Sequence, residues 1–341
     1  MRTLPTVSLV AVTYLPHPMK LQYGVFSFIF VVSLSPALLA WGKAGHMATG
    51  SVAYRELSAN ASTAPVAAAV AKILESHPFT ATEWKAELAE ADPVSVSRAE
   101  RLFVLAAQWP DEVRDDPWQD TYHHGDWHYV NITYTPGKAG PGPELKGKIL
   151  PELVANLKVV ADKKAKAADR AIAVSWVLHL VGDVHQPLHV VALVTVMDPN
   201  GDAGGNDFFV RTKAENQPVK LHSLWDRAGV KSDTDFAGVS DNAVKLRAAF
   251  PSSDLPELKA IRADDFNAIA AKETYVLAVK YAYLNGKLKG SDEHIAEEKP
   301  TKVPVLPSDY LNTAGEISKR QQALAGYRLA ALFKGAKLTT P

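Results

Sequence analysis

The stretch His179 to His189 (His-Leu-Val-Gly-Asp-Val-His-Gln-Pro-Leu-His) constrains this chain more than any other. It closes an apolar run, Ala171 to Leu178, that reads as a buried helix. His179 and Asp183 stand four apart, so on a helix an imidazole and a carboxylate face the same side. Pro187 has no N–H for the Asp183 carbonyl, so the helix kinks or ends there, and His189 swings towards the same space. Polar groups gathered on an apolar wall are costly to bury unpaired. A bound metal would account for them. A core histidine satisfied by an aspartate is the plainer alternative.

Composition narrows the chemistry. The chain has 341 residues and no cysteine, so disulfides and thiolate metal sites are both excluded. A transition-metal site must then use His, Asp, Glu and backbone groups, which gives weight to the 11 histidines. A hydrophobic content of 47% and a charged content of 22% are those of a soluble globular protein. The formal net charge of zero gives no overall positive field for nucleic acid, although metal ions can take over phosphate recognition.

From Met19 the chain runs through Lys20, an apolar stretch from Val25 to Leu34, and Ser-Pro-Ala-Leu-Leu-Ala40. A positive start, an apolar core and a small residue before the cut predict a signal peptide over residues 1–40, with Met19 a possible true start. The apolar core is short for a membrane anchor, which is the competing reading. Cleavage removes Arg2 and Lys20 and no acid, leaving 35 basic and 37 acidic residues. The mature protein, residues 41–341, is expected to be secreted or periplasmic, with no stable membrane anchor.

The remaining patterns are mainly helical. Helices are expected over Ala48–Leu57, Pro65–Glu75, Trp84–Glu90 and Ser97–Ala107, the last stopped by Trp109-Pro110. A polar-aromatic loop or strand spans His123–Asn131, and a Pro/Gly-rich loop spans Tyr134–Gly147. A long helix is expected over Ile149–Ala168, ahead of the one that carries His179. Asp198–Asn206 is a turn cluster, and Phe208–Thr212 with Val219–Leu221 form a small β-hairpin. Further helices are expected near Asn242–Ala249, Asp264–Leu284 and Leu311–Phe333, with a polar loop over Asn285–Ser308. No repeat or low-complexity linker divides the chain, which predicts a single, mainly α domain.

Taken in order, the candidate ligands are Trp41 (as a new N-terminus), His46, Asp111, His128, His179, Asp183, His189, His222 and Asp226. His222 and Asp226 repeat the spacing of His179 and Asp183. Such ligands favour Zn²⁺, with Mn²⁺ or Fe compatible on chemistry alone, and this many suit three ions better than one. Adjacent metals lower the pKa of a bound water and clamp both oxygens of an in-line phosphoryl displacement. The residues therefore suggest a metallo-phosphoesterase.

Trp41 with His46, Trp109-Pro-Asp111 with Arg114, Trp127-His128-Tyr129, His179-Leu-Val-Gly-Asp183, Gln186-Pro-Leu-His189, Gly204-Gly-Asn206 and His222-Ser-Leu-Trp-Asp226 occur in an order that resembles the class I zinc-dependent single-strand nucleases, the S-one/P-one type. The closing stretch Leu324 to Leu332 is also similar, so the resemblance covers nearly all of the chain after Trp41. It implies a helical fold shared with zinc phospholipase C and a cluster of three Zn²⁺. One ion would be held by Asp111, His128 and His179, with Asp183 bridging to a second. That second ion would take His46 and the amine and carbonyl of Trp41. The third would take His189, His222 and Asp226.

The resemblance further implies an endonuclease and 3′-nucleotidase acting on single-stranded DNA, RNA and 3′-nucleotides. A metal-bound hydroxide would attack phosphorus, leaving 5′-phosphate products. Asp111 would orient the water, Arg114 would stabilise the phosphoryl group, Tyr129 would stack on a base, and Asn206 would read the base edge. Asn131 stands where the family often has a base-contacting aspartate, and an amide donates as well as accepts. His77, His123, His124 and His185 are expected to be surface or supporting residues, and Trp109, Trp127 and Trp176 core residues. The sequons at Asn60 and Asn131 are discounted. The alternatives are a phospholipase C-like phosphodiesterase on the same fold and a non-catalytic secreted zinc-binding protein. The oligomeric state is open, with a monomer favoured.

Overall fold

A computed structural model describes residues 41–89, 96–196, 198–230 and 234–336. The expected signal peptide, residues 1–40, lies outside them, as does Glu90. Eight principal helices carry the fold: α1 Lys43–Ser58, α2 Ala64–Leu74, α3 Arg98–Glu112, α4 Ile149–Ala161, α5 Ala167–His185, α6 Leu221–Arg227, α7 Phe236–Ala249 and α8 Tyr310–Gly335. The architecture is mainly α, as the sequence predicts.

Helix α5 is central because it has no polar face. Every residue from Ala173 to His185 is buried, the pattern of a helix enclosed on all sides. Helices α1, α2, α3, α4 and α8 pack around it. Close approach rests on glycine at two points. A Cβ on Gly50 of α1 would lie 2.6 Å from the Phe103 carbonyl oxygen of α3, and one on Gly326 of α8 would lie 2.4 Å from Val52 of α1. Helix α5 ends at His185, and a tight turn over Pro187–His189 follows, fastened by the Leu188 N–H donating to Gln186 Oε1 at 2.5 Å.

Four expectations about the elements are corrected. Helix α3 opens on a Ser97 cap but does not stop before Trp109-Pro110; it runs through Pro110 to Glu112. One missing donor near the last turn is tolerated where both flanks are packed, and Trp109 is fully buried. The expected long helix from Ile149 is two: Asp162 accepts from the Lys164 N–H at 2.8 Å and turns the chain between α4 and α5. The Asp264–Leu284 segment is helical but interrupted by wide π-type turns over Ile269–Thr274 and Ala278–Ala282. The loop after Asn285 contains a short helix, Glu293–Glu298, capped by Asp292.

Strands are few. The expected hairpin is present as the antiparallel pair Phe209–Val210 and Val219–Lys220. A parallel pair not anticipated from the sequence joins Ile132–Tyr134 to Val191–Leu193, in register Ile132 to Val191. Just before it, the Val130 N–H donates to the His189 carbonyl at 2.8 Å. This ladder fastens the arm carrying His128 and Tyr129 to the turn carrying His189. No helix among the described residues is long and apolar enough to cross a membrane.

Candidate metal centre

Six elements deliver eight of the candidate ligands to one place. Helix α1 carries His46, the end of α3 carries Asp111, the arm before the parallel ladder carries His128, α5 carries His179 and Asp183, and α6 carries His222 and Asp226. His189 comes from the turn after Pro187, as the kink predicts. Three groups have ligand atoms within 4.8 Å of one another: His46, Asp111 and His179; His128, His179 and Asp183; and His189, His222 and Asp226. His46 therefore stands with Asp111 and His179, so the first two expected groups share a wall.

Backbone carbonyls set the imidazoles. His179 Nδ1 donates to the Ala107 oxygen at 2.8 Å, His189 Nδ1 to the His128 oxygen at 2.7 Å, and His222 Nδ1 to the Gly204 oxygen at 2.7 Å. Each bond fixes ring orientation and leaves Nε2 for another partner. The continuation of α3 past Pro110 brings Asp111 into this space. His46 stacks on His179 at 3.8 Å between ring centroids. That contact needs Gly182, because a Cβ there would lie 2.7 Å from His46 Nδ1.

The Asp183 carboxylate has a different pair of histidines at each oxygen. Oδ2 lies 3.1 Å from His128 Nδ1 and 3.2 Å from His179 Nε2, while Oδ1 lies 3.2 Å from His46 Nε2 and 3.6 Å from His189 Nδ1. Asp226 faces His189 and His222 at 3.6 Å each and is held by Gln186 Nε2 at 2.7 Å. Gln186 is a member of the quoted motif whose role the sequence alone does not reveal.

The site fits cations. Both ring nitrogens of His46, His128 Nε2, His189 Nε2, Asp111 Oδ2, Asp183 Oδ1 and Asp226 Oδ2 are buried without a hydrogen-bond partner; the close His46–Asp183 approach lacks hydrogen-bond alignment. Burial lowers His46, His222 and His128, the last to about 4. Burial opposes charge on His189 too, yet Asp183 and Asp226 outweigh it and raise His189 to about 9. Burial would raise both carboxyls, but the His179 charge helps hold Asp111 below, and Asp183 well below, the usual range. Buried carboxylates that stay ionised beside bare imidazole nitrogens call for positive charge, which metal ions supply.

A cleft of about 530 Å³ is lined by three of the candidate ligands, His128, His189 and His222. Arg114, Tyr129, Asn131 and Asn206 all line it, together with His123, Leu145, Lys146, Leu188 and Asn200. Arg114 pairs with Asp111 Oδ1. Asn206 donates to the Ala203 oxygen at 3.0 Å, and its Oδ1 is buried and unpaired. Gly147, at φ +97°, lets the chain press on Tyr129, where a Cβ would lie 2.1 Å from the Tyr129 oxygen.

The remaining histidines are sorted by burial. His77 and His185 are fully buried rather than on the surface. His77 stacks on Trp84 at 4.4 Å, and burial lowers it to about 3. His185 receives a hydrogen bond from Arg328 of α8 at 2.9 Å. Trp109 and Trp176 are core residues, as expected, and Trp127 is half-buried.

Comparison with known proteins accords with this geometry. Residues 41–336 match the family described as S1/P1 Nuclease. The chain is 24% identical to Endonuclease 3 of Arabidopsis thaliana over 283 residues, covering 78% of this chain and 83% of that protein. It is 24% identical to Endonuclease 4 of the same plant over 333 residues, covering 89% and 91%. A 54-residue stretch is 41% identical to Nuclease S1 of Aspergillus oryzae, 16% of this chain and 15% of that protein. With this family match and three His/Asp groups able to hold metal ions, the chain belongs to the S1/P1 nuclease family and is a metal-dependent nuclease.

Proposed function

We propose that the mature protein is a secreted or periplasmic zinc-dependent endonuclease that hydrolyses single-stranded DNA and RNA to 5′-phosphate products and also acts on 3′-nucleotides. The observation that carries this reading is the set of three adjoining His/Asp groups, whose His128, His189 and His222 line a cleft that also presents Arg114, Tyr129 and Asn206. Asp111, His128 and His179 would hold one zinc, with Asp183 shared by a second that also takes His46 and the Trp41 amine and carbonyl. His189, His222 and Asp226 would hold the third. Trp41 is buried and meets the His46 ring edge-on at 6.5 Å, which supports its place in this set. Use of its amine requires removal of residues 1–40.

Zinc bound at these groups supplies Lewis-acid charge that activates water and offsets the charge on phosphoryl and leaving oxygens. The chain's own residues do the rest. Arg114 holds Asp111 through Oδ1, leaving the buried Oδ2 to accept a proton-bearing group and orient a water. The guanidinium meanwhile faces the cleft, where charge on a phosphoryl group grows in the transition state. Water adds to phosphorus, the P–O3′ bond breaks, and the 3′ oxygen leaves with a proton as a hydroxyl. Tyr129 offers a ring to any unpaired base, whereas a duplex base has no free face, which yields single-strand preference without strong base selection. Asn131 and Asn206, which line the same cleft, would meet base edges.

The test is digestion of matched single- and double-stranded DNA, with end analysis of the products. Fast single-strand cleavage leaving 5′-phosphates is expected. Cleavage of lipid phosphodiesters with no action on single strands would replace this reading by the phospholipase C-like one. The nuclease names of the matched relatives favour the former.

A further inference from the structure

The cleft contains one cation that the proposed reaction does not use. Lys146 lines it beside Tyr129, Asn131 and Asn206. The neighbouring cations are committed: Arg114 pairs with Asp111, and Lys148 reaches Asp126 at 2.7 Å. The Lys146 ammonium makes no hydrogen bond or ion pair among the described residues. An unpaired cation in a nuclease cleft is placed to meet a phosphate.

Its position is fixed by the backbone. The Asn131 N–H donates to the Lys146 oxygen at 2.9 Å, and the Leu145 N–H to the Asn131 oxygen at 2.8 Å. The next residue, Gly147, presses against Tyr129. The Lys146 backbone is therefore anchored to Asn131, and its neighbour Gly147 packs on Tyr129, two of the residues assigned to the base, whereas Arg114 stands at the metal groups with Asp111. A cation at the base rather than at the reacting phosphorus meets the phosphate on the far side of that nucleotide.

We propose that Lys146 forms a second phosphate subsite, which takes the phosphate flanking the nucleotide stacked on Tyr129. The cleft is then built for a strand rather than for a 3′-mononucleotide, which has no second phosphate. This rests on the nuclease reading above.

The test compares zinc-loaded wild type with Lys146→Gln and Lys146→Arg. Each is assayed for kcat/KM on a single-stranded oligonucleotide and on a 3′-mononucleotide over a salt series. Lys146→Gln is expected to lower the oligonucleotide-to-mononucleotide ratio roughly tenfold and to flatten the log–log salt slope for the oligonucleotide by about 0.7, one single-strand phosphate contact. Lys146→Arg is expected to restore both. An unchanged ratio and slope overturns the subsite. A changed base preference at unchanged slope also overturns it and assigns Lys146 to a base edge. A wild type that cleaves no single strands overturns the nuclease reading, and the subsite falls with it.

Discussion

Tyr129 shows how much of the site is settled residue by residue. Its ring is useful only if the backbone beneath it stays in place, and that backbone is pressed by Gly147 at φ +97°. Tyr129→Ala is expected to raise the KM for a single-stranded oligonucleotide roughly tenfold, since a base–aromatic stack is worth about 1–3 kcal/mol; steady-state kinetics at fixed salt checks it. Gly182→Ala should act on the metal instead, because its Cβ would displace His46. Zinc analysis should find that variant short of one ion. Two pairs of metal-ligand candidates, His179 with Asp183 and His222 with Asp226, were legible in the sequence because a spacing of four declares a shared helix face, and the others were legible from the order of the motifs. Lys146 and His123 were not, since a lone polar residue in a loop announces nothing until the loop is folded against a cleft.

Among the elements, α5 carries the heaviest constraint, and α8 braces it from behind. Arg328 is fully buried, bonds Glu273 through both guanidinium arms at 2.7 and 2.9 Å, and holds His185, two residues from Asp183. Removing one partner of a buried pair leaves an uncompensated charge, so Arg328→Ala is expected to lose about 3–5 kcal/mol in urea unfolding. Within the loop that carries Asn206, burial raises Asp202 to about 6 even as Tyr283 and the Leu193 N–H bond it. An acid whose folded pKa is raised favours the fold while protonated. Stability from Asp202 is therefore greatest below about pH 4 and is lost as pH rises through about 6, a change of roughly 3 kcal/mol at 1.36 kcal/mol per pKa unit. Asp202→Asn should remove that part of the pH dependence in unfolding curves recorded from pH 4 to 7. Little of this bracing could be read beforehand. Arg328 and Glu273 lie far apart in sequence, and the parallel ladder is only three residues long on each side.

For the molecule as a whole, the helical class, the hairpin and the family were readable from ordered motifs, because the ligands sit singly or in pairs on successive helices and turns, in a fixed order along the chain. Helix ends were less readable: α3 continued past Pro110 because packing around Trp109 outweighed one lost donor. Function depends on His46, Asp111, His128, His179, Asp183, His189, His222 and Asp226 building a three-ion centre. The most direct test is zinc stoichiometry by elemental analysis on processed, purified protein. Close to three ions per chain are expected, and a value of one or none would overturn the three-ion centre.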